Sequence, residues 1–234
     1  MSELQTAQGP VGVFGGTFNP VHYGHLRSAV ELVDRLALDR LHLMPSATPP
    51  LRDTPVCSAE HRANMVSIAL QGEARIVCDE RELRRAGPSY TIDSLIEIRG
   101  ELGPEPSLSM VVGCDALLSI DRWHRWRELL DWAHIVVIAR PGWALPASGV
   151  VADWIQAHQT EHRSTLHQQP AGSVLLEELR PLDISATEIR QLLEAGKSVR
   201  YLMPQSVLEY IDAHALYTQA GAATTQPQVE DQCR

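Results

Sequence analysis

At 234 residues and 25.9 kDa the chain can build a sizeable core, as one α/β domain or two small ones. With 44% apolar and 21% charged residues it has the profile of an ordinary globular protein, and without an apolar run of bilayer-spanning length or a signal-peptide start it is expected in the cytoplasm, away from membranes. A formal net charge of −9 argues against DNA or RNA as the main partner, so a site for an anionic substrate has to be a local island of arginines, helix N-termini and backbone donors.

In chain order, VGVF (11–14), LHLM (41–44), ARIVC (74–78), LSMVVG (108–113), HIVVIA (134–139) and SVLLEE (173–178) are predicted strands. Several are too continuously apolar for a sheet with one wet face, so they belong in a sheet covered on both sides. Helical spacing recurs between them, at Leu26, Val30, Val33 and Ala37, at Met65, Ile68 and Ala69, at Leu95 and Ile98, and in one helix at 151–159. This alternation predicts an α/β fold, a doubly wound, mostly parallel sheet with ligands beyond the carboxyl ends of the strands. The proline-rich stretch 46–58 reads as a long mobile loop, and 141–173 as an excursion rich in Gly, Pro, His and Gln. After Tyr217 the tail is polar and expected to be disordered, which leaves one domain over 1–217 and a tail over 218–234. Cys57, Cys78, Cys114 and Cys233 have no metal-ligand spacing and read as reduced thiols.

Chemistry first shows in GGTFNPVHYGH, where a predicted strand hands over to a helix. Paired glycines let the backbone approach a phosphate closely, and the helix that follows aims its unpaired N–H groups and positive dipole end at the same place. Neither GxxxxGK[ST] nor GxGxxG is present. A helix beginning near Gly24 puts His22 on the approach and His25 in the first turn, so that both rings reach one ligand, with Gly24 leaving the space between them open. An incidental glycine-rich turn is the plainer reading; zinc is weaker, for want of a third ligand nearby.

A second cationic clamp is available in DISATEIRQLLEAGK (183–197). Ser185 followed by Glu188 reads as a capping box, which starts a helix at Ala186 and ends it near Gly196. Thr187 and Arg190 then share a face near the helix start, where hydroxyl, guanidinium and free N–H groups converge on an anion. A well-capped surface helix would look the same. Two other features read as decoys. HQTEH (158–162) has the order of an inverted zinc-protease motif, with His158 and His162 on one helical face, and Arg81, Arg84 and Arg85 form a basic cluster that reads as a solvated face.

GGTFNPVHYGH resembles the signature of the nucleotidyltransferase superfamily, which carries [HT]xGH after its first strand, and ISATEIR is similar to that superfamily's second motif. DERELRRAGPSYTIDSL (79–95), VVGCDALLSIDRWHRWRELL (111–130), ARPGW (139–143) and LMPQSVLEYIDAHALY (202–217) resemble bacterial nicotinate mononucleotide adenylyltransferase, so that the likeness runs from about residue 10 to Tyr217. The resemblance implies adenylyl transfer from ATP to nicotinate mononucleotide, giving nicotinate adenine dinucleotide and pyrophosphate, with Mg²⁺ bound mainly through the ATP phosphates. It implies that His22, His25 and Arg190 act on the reacting phosphates. Gly15, Gly16, Thr17, Phe18, Gly113, Asp115, Ser185 and Thr187 would bind ATP; Thr91, Trp123 and His124 would bind the mononucleotide, Trp123 by stacking on its ring. Two positions depart from the family pattern: Leu51 stands where relatives carry a histidine, ahead of Arg52, and His124 stands where many carry a phenol or a lysine. A nucleotide-sensing module that keeps the fold without turnover is the rival from another class.

Overall fold

A computed structural model of the chain describes residues 9–51, 54–139, 142–143, 145 and 147–218. Seven strands form one sheet: β1 (Val11–Gly16), β2 (Arg40–Pro45), β3 (Ile76–Cys78), β4 (Leu108–Gly113), β5 (His134–Ala139), β6 (Gln159–Thr160) and β7 (Val174–Glu178). Their order is β3-β2-β1-β4-β5-β7-β6 and every pairing is parallel. All six predicted strands are present. The two-residue β6 lies within the stretch read as an excursion, too short to show a period of its own.

Among the described residues ten α-helices accompany the strands: α1 (Tyr23–Arg35), α2 (Ala59–Ala69), α3 (Arg81–Arg84), α4 (Thr91–Leu102), α5 (Cys114–Leu117), α6 (Leu129–Trp132), α7 (Val150–His158), α8 (Thr165–Gln168), α9 (Ala186–Glu194) and α10 (Gln205–Ala213). The sheet has a core on each face. Ala29, Leu32 and Val33 of α1, Met65 and Val66 of α2, and Ile189, Val207 and Ile211 of α9 and α10 pack with Leu41, Leu43, Val111 and Val136. On the other face Ile92, Leu95 and Ile98 of α4 pack with Val11, Val13, Met110, Val112, Ile135 and Val137. Successive strand residues thus serve opposite cores, which is why the strand sequences read as unbroken apolar runs.

Several sequence expectations change in detail. Helix α1 ends at Arg35 and Ala37 lies past it with φ +46, so its helical spacing is coincidental. Helix α7 stops at His158 and the chain turns into β6, so His158 and His162 do not share a helical face. Arg81 is buried rather than solvated: it grips Asp79 through Nε and Nη2 and reaches Glu101 at 3.1 Å. Burial alone would raise the Asp79 carboxyl, yet bonds to His42 and Arg81 hold it at about 2. The loop after β2 is anchored near its start, where the N–H groups of Ala47 and Thr48 donate to Ser89 Oγ at 3.1 and 3.0 Å. The rest of the tail beyond Thr218, Arg52 and part of ARPGW lie outside the described residues.

Candidate active site

The strand order reverses direction between β1 and β4, whose carboxyl ends open a crevice where an α/β sheet takes its ligand. Gly15 and Gly16 end β1 there, Gly113 ends β4, and Asp115 follows, exposed, in the first turn of α5. At Gly16 a Cβ would stand 2.9 Å from the Phe18 ring, so the glycine lets the chain fold back over that ring. Phe18 itself, at φ +46 and 2% exposed, meets the His25 ring edge-on at 5.0 Å. Its side chain supports His25 from the core.

His22 is the N-cap of α1, and its ring stacks on that of His25 with centroids 3.8 Å apart. The expectation of an open space at Gly24 is corrected by packing: a Cβ there would lie 2.9 Å from His22 Nδ1 and 3.3 Å from the Leu182 carbonyl. The missing side chain seats the His22 ring. Burial pushes His22 down to about 4, and burial with His22 alongside pushes His25 to about 3, so both are neutral at pH 7. Both Nδ1 atoms are buried without a hydrogen-bond partner. A proton on Nδ1 would be an unpaired buried donor, so the favoured tautomer carries it on Nε2 and each ring offers an Nε2–H. Of the first N–H groups of α1, that of Tyr23 is taken by the Leu202 carbonyl at 2.9 Å.

Helix α9 begins at Ala186 with Ser185 as N-cap, but Ser185 makes no side-chain cap bond. The helix start was legible; the reciprocal capping box is not formed. Arg190 donates to the Asn19 carbonyl at 2.7 Å and to Thr187 Oγ1 at 3.3 Å, so the second motif is fastened directly to the first. Asn19 accepts a second bond, from the Tyr217 hydroxyl, on its Oδ1 at 2.6 Å.

The residues expected to bind the mononucleotide gather on the α4 side. Thr91 is the first residue of α4, and the His124 ring lies 4.5 Å from that of the preceding Tyr90. Trp123 is half-buried and packs, like Tyr90, on the core beneath. Asn19, Arg62 and Tyr217 escaped the sequence reading, whereas Ser89 and Tyr90 belong with Thr91 to the SYT stretch whose hydroxyl and backbone donors the family resemblance already implied. Arg62 had a signal, since it stands one helical turn before the core residues Met65 and Val66, a place where a charge needs a reason. Among the described residues no three His, Cys, Asp or Glu side chains form a metal cage.

A glycine-edged switch point, a histidine pair at one helix start and an arginine clamp from another define a nucleotidyltransferase. The comparisons sharpen this. The cytidylyltransferase-like family model matches residues 13–192. A protein of Aeromonas hydrophila named "Probable nicotinate-nucleotide adenylyltransferase" is 46% identical over 211 residues, covering 90% of this chain and 98% of that one. One of Pseudomonas aeruginosa with the same name is 47% identical over 207 residues, covering 88% and 96%. A Plasmodium falciparum nicotinic acid mononucleotide adenylyltransferase complexed with NaAD shares the fold with TM-score 0.66 at 16% identity, covering 89% of this chain and 97% of that one. The chain belongs to the nicotinate-nucleotide adenylyltransferase family of the cytidylyltransferase-like proteins.

Proposed function

We propose that the protein transfers the adenylyl group of ATP to nicotinate mononucleotide in the cytoplasm, forming nicotinate adenine dinucleotide and pyrophosphate. The observation that carries this reading is the bond from Arg190 to Asn19, which brings the arginine of α9 onto the loop that leads into the stacked pair His22 and His25.

An oxygen of the mononucleotide phosphate attacks the α-phosphorus, the bond to the β-phosphate bridging oxygen breaks, and pyrophosphate leaves. The attacking phosphate has a second pKa near ~6 and is largely ionised at pH 7, so no general base is needed. The protein's work is positioning and charge stabilisation. His22 and His25 donate Nε2–H to the phosphoryl oxygens as charge builds. Arg190, Thr187, Ser185 and the start of α9 receive the leaving pyrophosphate. Gly15, Gly16, Thr17 and Phe18 offer backbone to the phosphates, and Gly113 and Asp115 face the ribose. Thr91, Trp123 and His124 hold the nicotinate end. A donor set of imidazole, hydroxyl and guanidinium groups fits Mg²⁺ carried on the ATP phosphates rather than held in a protein cage. When bound, that ion neutralises phosphoryl charge. Pyrophosphate release should be rapid with ATP, Mg²⁺ and nicotinate mononucleotide and slower with nicotinamide mononucleotide. ATP binding without pyrophosphate release would identify the non-catalytic sensing module instead.

A further inference from the structure

Arg62 of α2 is 1% exposed and ranks among the largest fully buried side chains. Its guanidinium spends its donors on main-chain oxygens of two separate loops. Nη1 donates to the Thr17 carbonyl at 2.7 Å, in the loop after β1; Nη2 to the Ala47 carbonyl at 3.3 Å and Nε to the Cys57 carbonyl at 3.2 Å, both in the loop after β2. A buried guanidinium held by carbonyls, with no ion pair to it among the described residues, is a costly arrangement that needs its bonds in place.

The two loops serve different substrates. Thr17 lies between the glycine pair and Asn19, on the side of the triphosphate. The loop after β2 is tied by Ser89 Oγ to the segment entering Tyr90 and Thr91, on the side of the mononucleotide. The Tyr217 hydroxyl also touches both, through Asn19 Oδ1 at 2.6 Å and the Cys57 side chain, whereas Arg62 holds the main chain of each. We propose that Arg62 is a positioning residue for adenylyl transfer: it rivets the two loops so that the attacking phosphate and the α-phosphorus meet in line. This rests on the adenylyl-transfer reading above. Each substrate can still find its own loop when the rivet is loosened; what is lost is their mutual alignment, where a displacement of about 1 Å costs ~100-fold in rate.

The test compares wild type with Arg62→Lys, which keeps the charge but cannot span three carbonyls. Binding of ATP alone and of nicotinate mononucleotide alone is measured by calorimetry, turnover by pyrophosphate release, and folding by thermal denaturation. The expected result is kcat down at least tenfold at a temperature where the variant is fully folded, with both separate affinities within threefold of wild type. Unchanged kcat in the folded variant, or weakened ATP binding with kcat intact, overturns the proposal. If Arg62→Lys does not fold, Arg62→Gln decides, because its single amide removes the buried charge and cannot hold three carbonyls: kcat lowered at least tenfold with affinities kept supports the proposal, and wild-type kcat overturns it. Wild type serves as the control, since its failure to release pyrophosphate would sink the adenylyl-transfer reading and not the rivet alone.

Discussion

In the proposed reaction two stacked neutral imidazoles face a polyanion, and their neutrality would suit turnover better than tight binding. A protonated pair would grip ATP strongly before and after reaction, whereas neutral Nε2–H donors gain most where oxyanion charge peaks. Replacing His22 or His25 by alanine should therefore lower kcat by ~100- to 1,000-fold, the range for losing one donor to a developing oxyanion, with ATP affinity changed far less. Steady-state kinetics beside equilibrium ATP binding checks this. The motif was legible because glycine, histidine and helix start all lie within eleven residues of sequence. The stacking was not, since it depends on the Leu182 carbonyl arriving from 158 positions away to close the space over Gly24.

Helix α9 shows what an element's sequence can and cannot reveal. Its start at Ala186 and its end before Gly196, at φ +64, follow from local rules. Whether Ser185 spends its hydroxyl on the cap is decided by surroundings, and here it does not. Ser185→Ala should then cost well under the ~1 kcal/mol usual for losing a working cap, while raising the KM for ATP severalfold if the hydroxyl serves phosphate. Urea denaturation and initial rates measured on the same variant separate these. Helix α1 makes the opposite case. Gly24→Ala keeps good helix propensity, yet its methyl would meet His22 Nδ1 at 2.9 Å and a fixed carbonyl at 3.3 Å. The ring has to move, so kcat should fall at least tenfold in a protein whose melting temperature changes little, as activity and calorimetry would show. The buried Arg81 belongs to the same lesson: a run of arginines looks solvated until Asp79 and Glu101, on neighbouring elements, come to meet it.

At the scale of the molecule, the order of strands could not be read from the sequence, although strand identity and parallel pairing could. Alternating strands and helices fix handed crossovers, but which strand neighbours which depends on the two cores that α1, α2, α9 and α10 form on one face and α4 to α7 on the other. The resulting reversal between β1 and β4 sets residues near positions 16 and 113 side by side. The acidic surplus of the chain and the proposed anion site are compatible for the same reason: polar groups from distant segments, such as Arg190 and the loop at Asn19, meet only once the sheet is assembled.

That assembly buries basic side chains in neutral form, which ties global stability to pH. His22 and His25 titrate near 4 and 3 in the folded protein against 6.5 when exposed, and burial lowers His134 as well. Above pH 6.5 both states are neutral at these sites and stability does not depend on them. As pH falls from 6.5 the unfolded chain takes up protons that the folded one refuses, so stability drops by about 1.4 kcal/mol per pH unit for each such histidine until its folded pKa is reached. Asp79 acts later: folded at about 2 against 3.8 exposed, its contribution is intact above pH 4 and lost only towards pH 2. Urea midpoints should hence decline already between pH 6.5 and 4.5, before carboxylates protonate. Replacing His22 and His25 together by asparagine should flatten that slope by up to two protons' worth. A wild-type profile level down to pH 5 would show the rings to be freely protonated, and with that the neutral-donor account of the transition state would fall.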